Sequence, residues 1–106
     1  MWKHKKYEVV HCEDGFSMSV QAGEHNYCEP RNNIGPYSAV EIGYPSEAEP
    51  LISSYAEDPD CLTGTVYGWV PSEKVMDVIV KHGGAISGEI PPLVVGGHTI
   101  PLDEPS

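Results

Sequence analysis

Residues 7–22 read YEVVHCEDGFSMSVQA, in which two runs of mixed apolar and polar residues flank Asp14 and Gly15. An Asp-Gly pair readily adopts the positive φ angles of a two-residue type I′ turn, so the stretch predicts a β-hairpin. Because loop length sets the register, a two-residue loop would place His11 opposite Met18. We therefore expect two antiparallel strands with one apolar face.

The rest of the chain predicts two more strands and one main helix. The stretch 38–44 alternates apolar and polar residues, and 63–70 is rich in β-branched and aromatic residues. A helix of about 12 residues follows Pro71 and ends at a Gly-Gly pair. A second, shorter helix is predicted over about 47–56, because residues 46–49 match a capping box.

These elements predict an α+β fold: a small antiparallel sheet of about four strands, with one main helix packed on one face and an extended C-terminal arm. The core domain would span residues 1–84. The arm, 85–106, is broken by Pro and Gly yet carries apolar residues. Such an arm packs on its own domain or on a second copy, where Leu93–Val95 would complete a partner's sheet edge or groove. A homodimer through 85–106 is therefore one of two expectations.

The composition excludes several classes of partner. The 106 residues carry 6 Lys and Arg against 16 Asp and Glu, a net charge of −10. This balance disfavours direct binding to nucleic acid or to an anionic membrane surface. No apolar run approaches the roughly 20 residues of a membrane span. Three cysteines cannot all pair within one chain, which argues against a secreted disulfide scaffold. We expect a cytoplasmic protein.

The sequence contains no recognisable catalytic set, so we predict a protein that is not an enzyme and needs no cofactor. Cys28 lies near His25 and Arg31, but no orienting group accompanies it. Neighbouring carboxylates are expected at this composition, and the Gly-Gly pairs lack the flanks of a phosphate loop. His25 and Cys28 are spaced to share a metal ion, but a structural zinc site needs a second close pair of donors. We predict no metal site, and a zinc-dependent module stays an alternative.

The negative charge provides the main functional hypothesis. An acidic protein is steered towards basic surfaces, and it can occupy a nucleic-acid groove by presenting carboxylates where phosphates would lie. Several acidic residues cluster in one loop-helix segment, with an aromatic residue that would serve as an anchor. The predicted partner-binding residues are Glu47, Glu49, Tyr55, Glu57, Asp58 and Asp60.

A small-ligand site is the alternative. The loop that follows the hairpin combines the only arginine of the chain with two amides and two aromatic rings, a set suited to an anionic ligand or a nucleotide signal. A sequestering protein would use these groups. The residues of this alternative site are Tyr27, Arg31, Asn32, Asn33 and Tyr37.

Several segments carry a resemblance to a class of proteins: FSMSVQAG at 16–23, HNYCEPR at 25–31, VEIGYPS at 40–46, VYGWVP at 66–71 and HGG at 82–84. In these segments the chain resembles small uncharacterised proteins encoded by bacteriophages and prophages. That class includes anti-CRISPR and other anti-defence inhibitors. The resemblance implies a phage-type inhibitor that binds a basic surface of a nucleic-acid-handling complex in the cytoplasm of a host bacterium.

Overall fold

A computed structural model describes residues 6–95 and 98–99 and confirms the predicted α+β class. It contains a five-stranded antiparallel sheet and one main α-helix. In chain order the elements are β1 (Val10–Cys12), β2 (Ser17–Gln21), β3 (Ala39–Gly43), a 3₁₀ turn (Ser53–Tyr55), β4 (Val66–Pro71), α1 (Ser72–Lys81), β5 (Ala85–Ser87), β6 (Val94–Val95) and β7 (His98–Thr99), the last two forming a separate ribbon.

The sheet has the spatial order β4-β3-β2-β1-β5. The first four strands therefore form a meander, and α1 carries the chain back to the opposite edge, where β5 pairs with β1. The helix is amphipathic, and it buries Val75, Val78 and Ile79 in the single core. At ten residues α1 is the longest helix of the described part, in which no helix is long and apolar enough to cross a membrane.

The hairpin forms as predicted, but its loop has three residues rather than two, so the predicted register was wrong. Cys12 N–H donates to Phe16 C=O at 2.8 Å, and Gly15 N–H donates to Cys12 C=O at 3.0 Å. Gly15 has φ +98°, whereas Asp14 does not have a positive φ. This is a type I turn followed by a left-handed glycine, which also accepts an Asp-Gly sequence. Met18 therefore pairs with Val10 instead of His11.

The predicted helix over about 47–56 was wrong. Only Ser53–Tyr55 is helical, as a 3₁₀ turn. The Glu49 carboxylate is buried, accepts a hydrogen bond from the Leu51 N–H at 2.9 Å, and reaches the end of α1. The capping-box glutamate thus connects two parts of the tertiary structure instead of starting a helix, and Ile52 beside it is fully buried in the core.

The first part of the predicted arm packs on its own domain. β5 extends the sheet, and Tyr37 exchanges backbone hydrogen bonds with Pro92 C=O (2.8 Å) and Val94 N–H (2.9 Å). Leu93, between them, is only 6% exposed and belongs to the core. Residues 96–97 and 100–106 of the arm lie outside the described residues, and a homodimer through the arm stays a prediction.

Candidate functional site

A β-bulge in β4 turns a tryptophan out of the sheet. The register between β3 and β4 shifts, so that Gly68 and Trp69 together stand opposite Glu41. Trp69 has φ +49°, a left-handed conformation that is unfavourable for a bulky residue. Its side chain is 46% exposed, although Gly68 and Val70 on either side are buried. Bulges of this kind re-aim side chains and are frequent beside functional sites.

The Trp69 ring stacks on Tyr27, with 4.9 Å between ring centroids and 22° between planes. We call these two residues the aromatic pair. The Trp69 N–H donates to Tyr27 C=O at 3.0 Å, and the Tyr27 N–H donates to Glu41 Oε1 at 2.9 Å. These bonds attach the loop to the bulge. A non-glycine residue in this conformation costs about 1 kcal/mol or more, and such strain is concentrated at functional positions.

A cation already lies at the aromatic pair. The Arg31 guanidinium is placed over the Tyr27 ring, 5.9 Å from its centroid. This separation is within the range of a cation–π interaction. Two members of the predicted small-ligand site, Tyr27 and Arg31, thus meet at the surface as expected of neighbours in one loop.

The other three residues of that predicted site support the loop instead of facing a ligand. Asn32 Oδ1 accepts hydrogen bonds from two backbone N–H groups of its own turn, each at 2.9 Å. Asn33 Oδ1 accepts a bond from the Glu24 N–H at 3.0 Å. Tyr37 is buried, and its hydroxyl donates to the Asn32 carbonyl at 2.8 Å. Because these polar groups already form hydrogen bonds within the loop, Asn32, Asn33 and Tyr37 have fewer free groups with which to bind a ligand.

Three exposed carboxylates lie at the start of β4, in what we call the acidic turn: Glu57, Asp58 and Asp60. The Glu57 N–H donates to Val66 C=O at 2.9 Å, and the Asp58 N–H donates to Thr65 Oγ1 at 3.2 Å. The turn is therefore fastened to the strand that carries Trp69. Within residues 6–95 and 98–99, none of the three forms an ion pair.

Gly68 lets the acidic turn and the aromatic pair meet. A Cβ added at Gly68 would lie 3.3 Å from Tyr27 Cβ and 3.6 Å from Glu57 Oε2. Both side chains therefore approach the same point of β4, beside Trp69. The structure thus combines part of the predicted acidic site with part of the predicted loop site on one face of the molecule.

The remaining acidic-site residues differ in exposure. Glu47 is exposed, and Tyr55 is half-buried against the core. Glu49 is 1% exposed, so its carboxylate does not belong to the surface. Its prediction as a surface residue was based on sequence proximity to the other acids, which does not report burial.

Glu49 belongs to a network centred on His82, in which Glu49 and His82 are buried while Asp14 and Lys81 are half-exposed. His82 Nε2 lies 2.7 Å from Glu49 Oε1, and Nδ1 lies 2.7 Å from Asp14 Oδ2. Lys81 Nζ donates to Glu49 Oε2 at 2.8 Å, and the His82 ring stacks on Phe16 with 4.0 Å between centroids. Basic residues at the end of a predicted helix were the only signal for it in the sequence. The network connects the hairpin turn, the segment around Glu49 and the end of α1. Because both ring nitrogens of His82 contact carboxylates, neither is free to act as a general base towards a substrate.

The network stabilises the charged forms of its members. Burial by itself would lower the pKa of His82, but its hydrogen bonds with Glu49 and Asp14 raise it above the usual value. Burial would raise the pKa of Glu49, but bonds from Lys81, the Leu51 N–H and His82 bring it below the usual value. A bond from the Phe16 N–H, followed by that from His82, lowers the pKa of Asp14.

The network predicts maximum stability between roughly pH 4.5 and pH 6.5. Because folding raises the pKa of His82, its contribution is present below the ordinary histidine pKa and is lost as the pH rises through the folded value. Because folding lowers the pKa of Glu49, its contribution is lost as the pH falls through that folded value. Urea midpoints measured across this range test the expectation. The H82Q variant should lose the alkaline decline, and a flat wild-type profile from about pH 6 to about pH 9 would contradict it.

The residues considered for metal or thiol chemistry differ in exposure. Cys28 is buried, and its Sγ lies 3.2 Å from Gly23 O. Burial raises the pKa of the Cys28 thiol, which disfavours the thiolate nucleophile. The His25 side chain is exposed beside Glu24. Among the described residues, no group of three or more His, Cys, Asp or Glu side chains is placed to hold a metal ion.

No protein-family model, curated protein or solved structure matches the chain. Function is therefore inferred from the chemistry of the surface. Trp69 is the residue that sequence reasoning missed, because the stretch 63–70 was interpreted only as a strand. A bulky aromatic beside a glycine in a strand was the available signal for a bulge.

Proposed function

We propose that this protein is a non-enzymatic inhibitor or adaptor that binds a basic protein surface with its aromatic pair and acidic turn. The observation that carries the proposal is Trp69, which is half-exposed in a strained conformation and stacked on Tyr27 beside the Glu57 carboxylate. Tryptophan and tyrosine are enriched among the residues that dominate binding energy at interfaces. Charged groups around them add specificity and faster association.

The charge supports a basic partner. The chain carries a net charge of −10, and the three carboxylates of the acidic turn have no cation paired with them in the described part. A protein with this field associates fastest with positively charged surfaces, and the effect weakens with added salt. Large basic protein surfaces commonly serve to bind nucleic acid. We therefore propose a host nucleic-acid-handling complex as the partner of a phage-type, anti-CRISPR-like inhibitor.

The small-ligand alternative has weaker support. Tyr27 and Arg31 remain at the surface, but Asn32, Asn33 and Tyr37 are engaged in the loop itself. The carboxylates beside the aromatic pair would also repel an anionic ligand. The engaged polar groups of the loop and the neighbouring carboxylates therefore both favour a protein partner with basic side chains over an anionic ligand.

Reversing the acidic turn tests the proposal. The triple variant E57K/D58K/D60K should associate with its partner at least about tenfold more slowly, and its association rate should depend less on salt concentration. The matched control E8K/E73K/D77K changes the net charge equally at three other exposed positions, in the N-terminal segment and on α1. Partners captured from a bacterial lysate at low and high salt would be identified by mass spectrometry, and association rates then measured with the purified partner.

Two outcomes count against the proposal. Equal association by the two triple variants would show that overall charge, not this face, drives binding. Loss of binding in R31A, together with full binding by the triple variant, would instead support the small-ligand alternative. R31A is expected to leave binding of a basic partner intact, because it removes a cation and not a carboxylate.

A further inference from the structure

We infer that the aromatic pair recognises arginine side chains of the partner, with a guanidinium stacking on the exposed Trp69 ring. This inference rests on the proposed function and names the chemistry of its contact. The expected occupant is a protein that presents arginine, because both the charge and the geometry of the face favour a planar cation.

The chain already places one cation against this pair. Among the described residues, the cation shown over the Tyr27 ring is Arg31, whereas Lys6, Lys74 and Lys81 have no such contact with it. Guanidinium groups stack on aromatic faces and are less strongly hydrated than ammonium groups, so they lose less hydration on contact. Trp69, already stacked against Tyr27, offers the larger ring and the stronger cation–π acceptor.

A carboxylate is present where a stacked guanidinium needs one. Glu57 Oε2 approaches the same point of β4 as Tyr27, and Glu57 is exposed. Glu41, which accepts the Tyr27 N–H, adds negative charge beneath the pair. Arginine can bond to a carboxylate with its fork of N–H groups while its plane lies on a ring, whereas lysine offers only a point charge.

Backbone contacts hold the face in position before it binds. The bulge and the hydrogen bond from the Trp69 N–H to Tyr27 C=O hold the tryptophan in its left-handed conformation. A contact residue that is ordered in advance loses less entropy on binding. Glycine adopts a φ of +49° without strain, so W69G removes the ring while it keeps the backbone of the bulge.

The test uses two peptides that differ only in having arginine or lysine at every basic position. Affinities would be measured at low salt by calorimetry, and by Trp69 fluorescence in a W2F background that leaves one tryptophan. Wild type should bind the arginine peptide about five- to tenfold more tightly than the lysine peptide. W69G should bind the two about equally, and W69L, which keeps apolar bulk without a π face, should do the same.

Tyr44 supplies the matched control, because it is an exposed aromatic residue with φ +50° outside the pair. Y44A should keep the wild-type preference. Equal binding of both peptides by wild type, or an unchanged preference in W69G and W69L, would overturn the arginine assignment while leaving the basic-partner proposal. If neither peptide binds at low salt, the proposed function itself fails. Binding of a nucleotide such as ATP that R31A abolishes would assign the pair to a small ligand instead.

Discussion

The E49A variant is expected to unfold with a free energy about 3 kcal/mol or more below that of the wild type. Glu49 is 1% exposed and accepts hydrogen bonds from Lys81 and the Leu51 N–H while it faces His82 at 2.7 Å. Alanine would leave His82, itself 5% exposed, with one carboxylate fewer in a buried site. Domains of this size are stable by about 5–15 kcal/mol, so the loss would be a large share of the total.

Urea unfolding followed by far-UV circular dichroism measures this difference. E47A is the matched control, because Glu47 is two positions earlier and exposed, and it should change stability by no more than about 0.5 kcal/mol. K81Q should have a smaller effect than E49A, since Lys81 is half-exposed and Glu49 keeps its bonds with His82 and the Leu51 N–H. If E49A proves as mild as E47A, then Glu49 is not buried among its partners and the network is wrong.

The second large effect is expected for L93A, which should destabilise the protein by about 2–4 kcal/mol. Leu93 is 6% exposed and packs in the core between the backbone bonds that Tyr37 makes with Pro92 and Val94. Truncation to alanine leaves a cavity that the surrounding sheet and helix cannot fill completely. The mass in solution should not change, because Leu93 is already buried against the core of its own chain.

I86A is the control for L93A, since Ile86 lies in β5 of the same arm but is exposed. It should change the unfolding free energy by no more than about 0.5 kcal/mol. The opposite pattern would be informative: an L93A protein of wild-type stability that converts a dimer to a monomer would show that this segment packs on a second copy. Urea midpoints and light scattering on the same samples distinguish the two.

The His82 network and the face formed by the aromatic pair and the acidic turn are expected to respond to mutation independently. Glu49 and His82 hold the end of α1 against the hairpin turn, whereas Tyr27, Trp69 and Glu57 meet beside the β4 bulge. Variants of the network should change stability and its pH dependence. Variants of the face should change binding with little change in stability, because exposed residues contribute less to the core.

Local patterns in the sequence predicted most of the elements, although the helix expected over about 47–56 does not form. The hairpin, the strands near 38–44 and 63–70, and the helix after Pro71 all form, because residue period and stop signals act over a few neighbouring residues. The hairpin register was not predicted correctly, since an Asp-Gly pair suits two kinds of loop. Contacts from outside the hairpin support the observed one: the Asp14 and Glu13 N–H groups donate to the His82 and Gly84 carbonyls.

The candidate site was predicted only in parts. Tyr27 and Arg31 were assigned to one hypothesis, and Glu57, Asp58 and Asp60 to another. Tyr27 and Glu57 meet beside the β4 bulge, which depends on how β3 and β4 pair and has no local period. The same bulge exposes Trp69, whose place in a strand pattern gave no indication of its left-handed conformation.

The amino-acid sequence alone determined the secondary-structure class and the excess of negative charge, because both follow from residue type and from spacing along a short stretch. Only the tertiary structure decided which charges are buried and which remain exposed. Glu49 and Asp14 are 33 and 68 residues from His82 along the chain, yet each lies 2.7 Å from its ring. Burial and ion pairing are set by segments that meet only when the sheet and helix pack, so a linear pattern cannot report them.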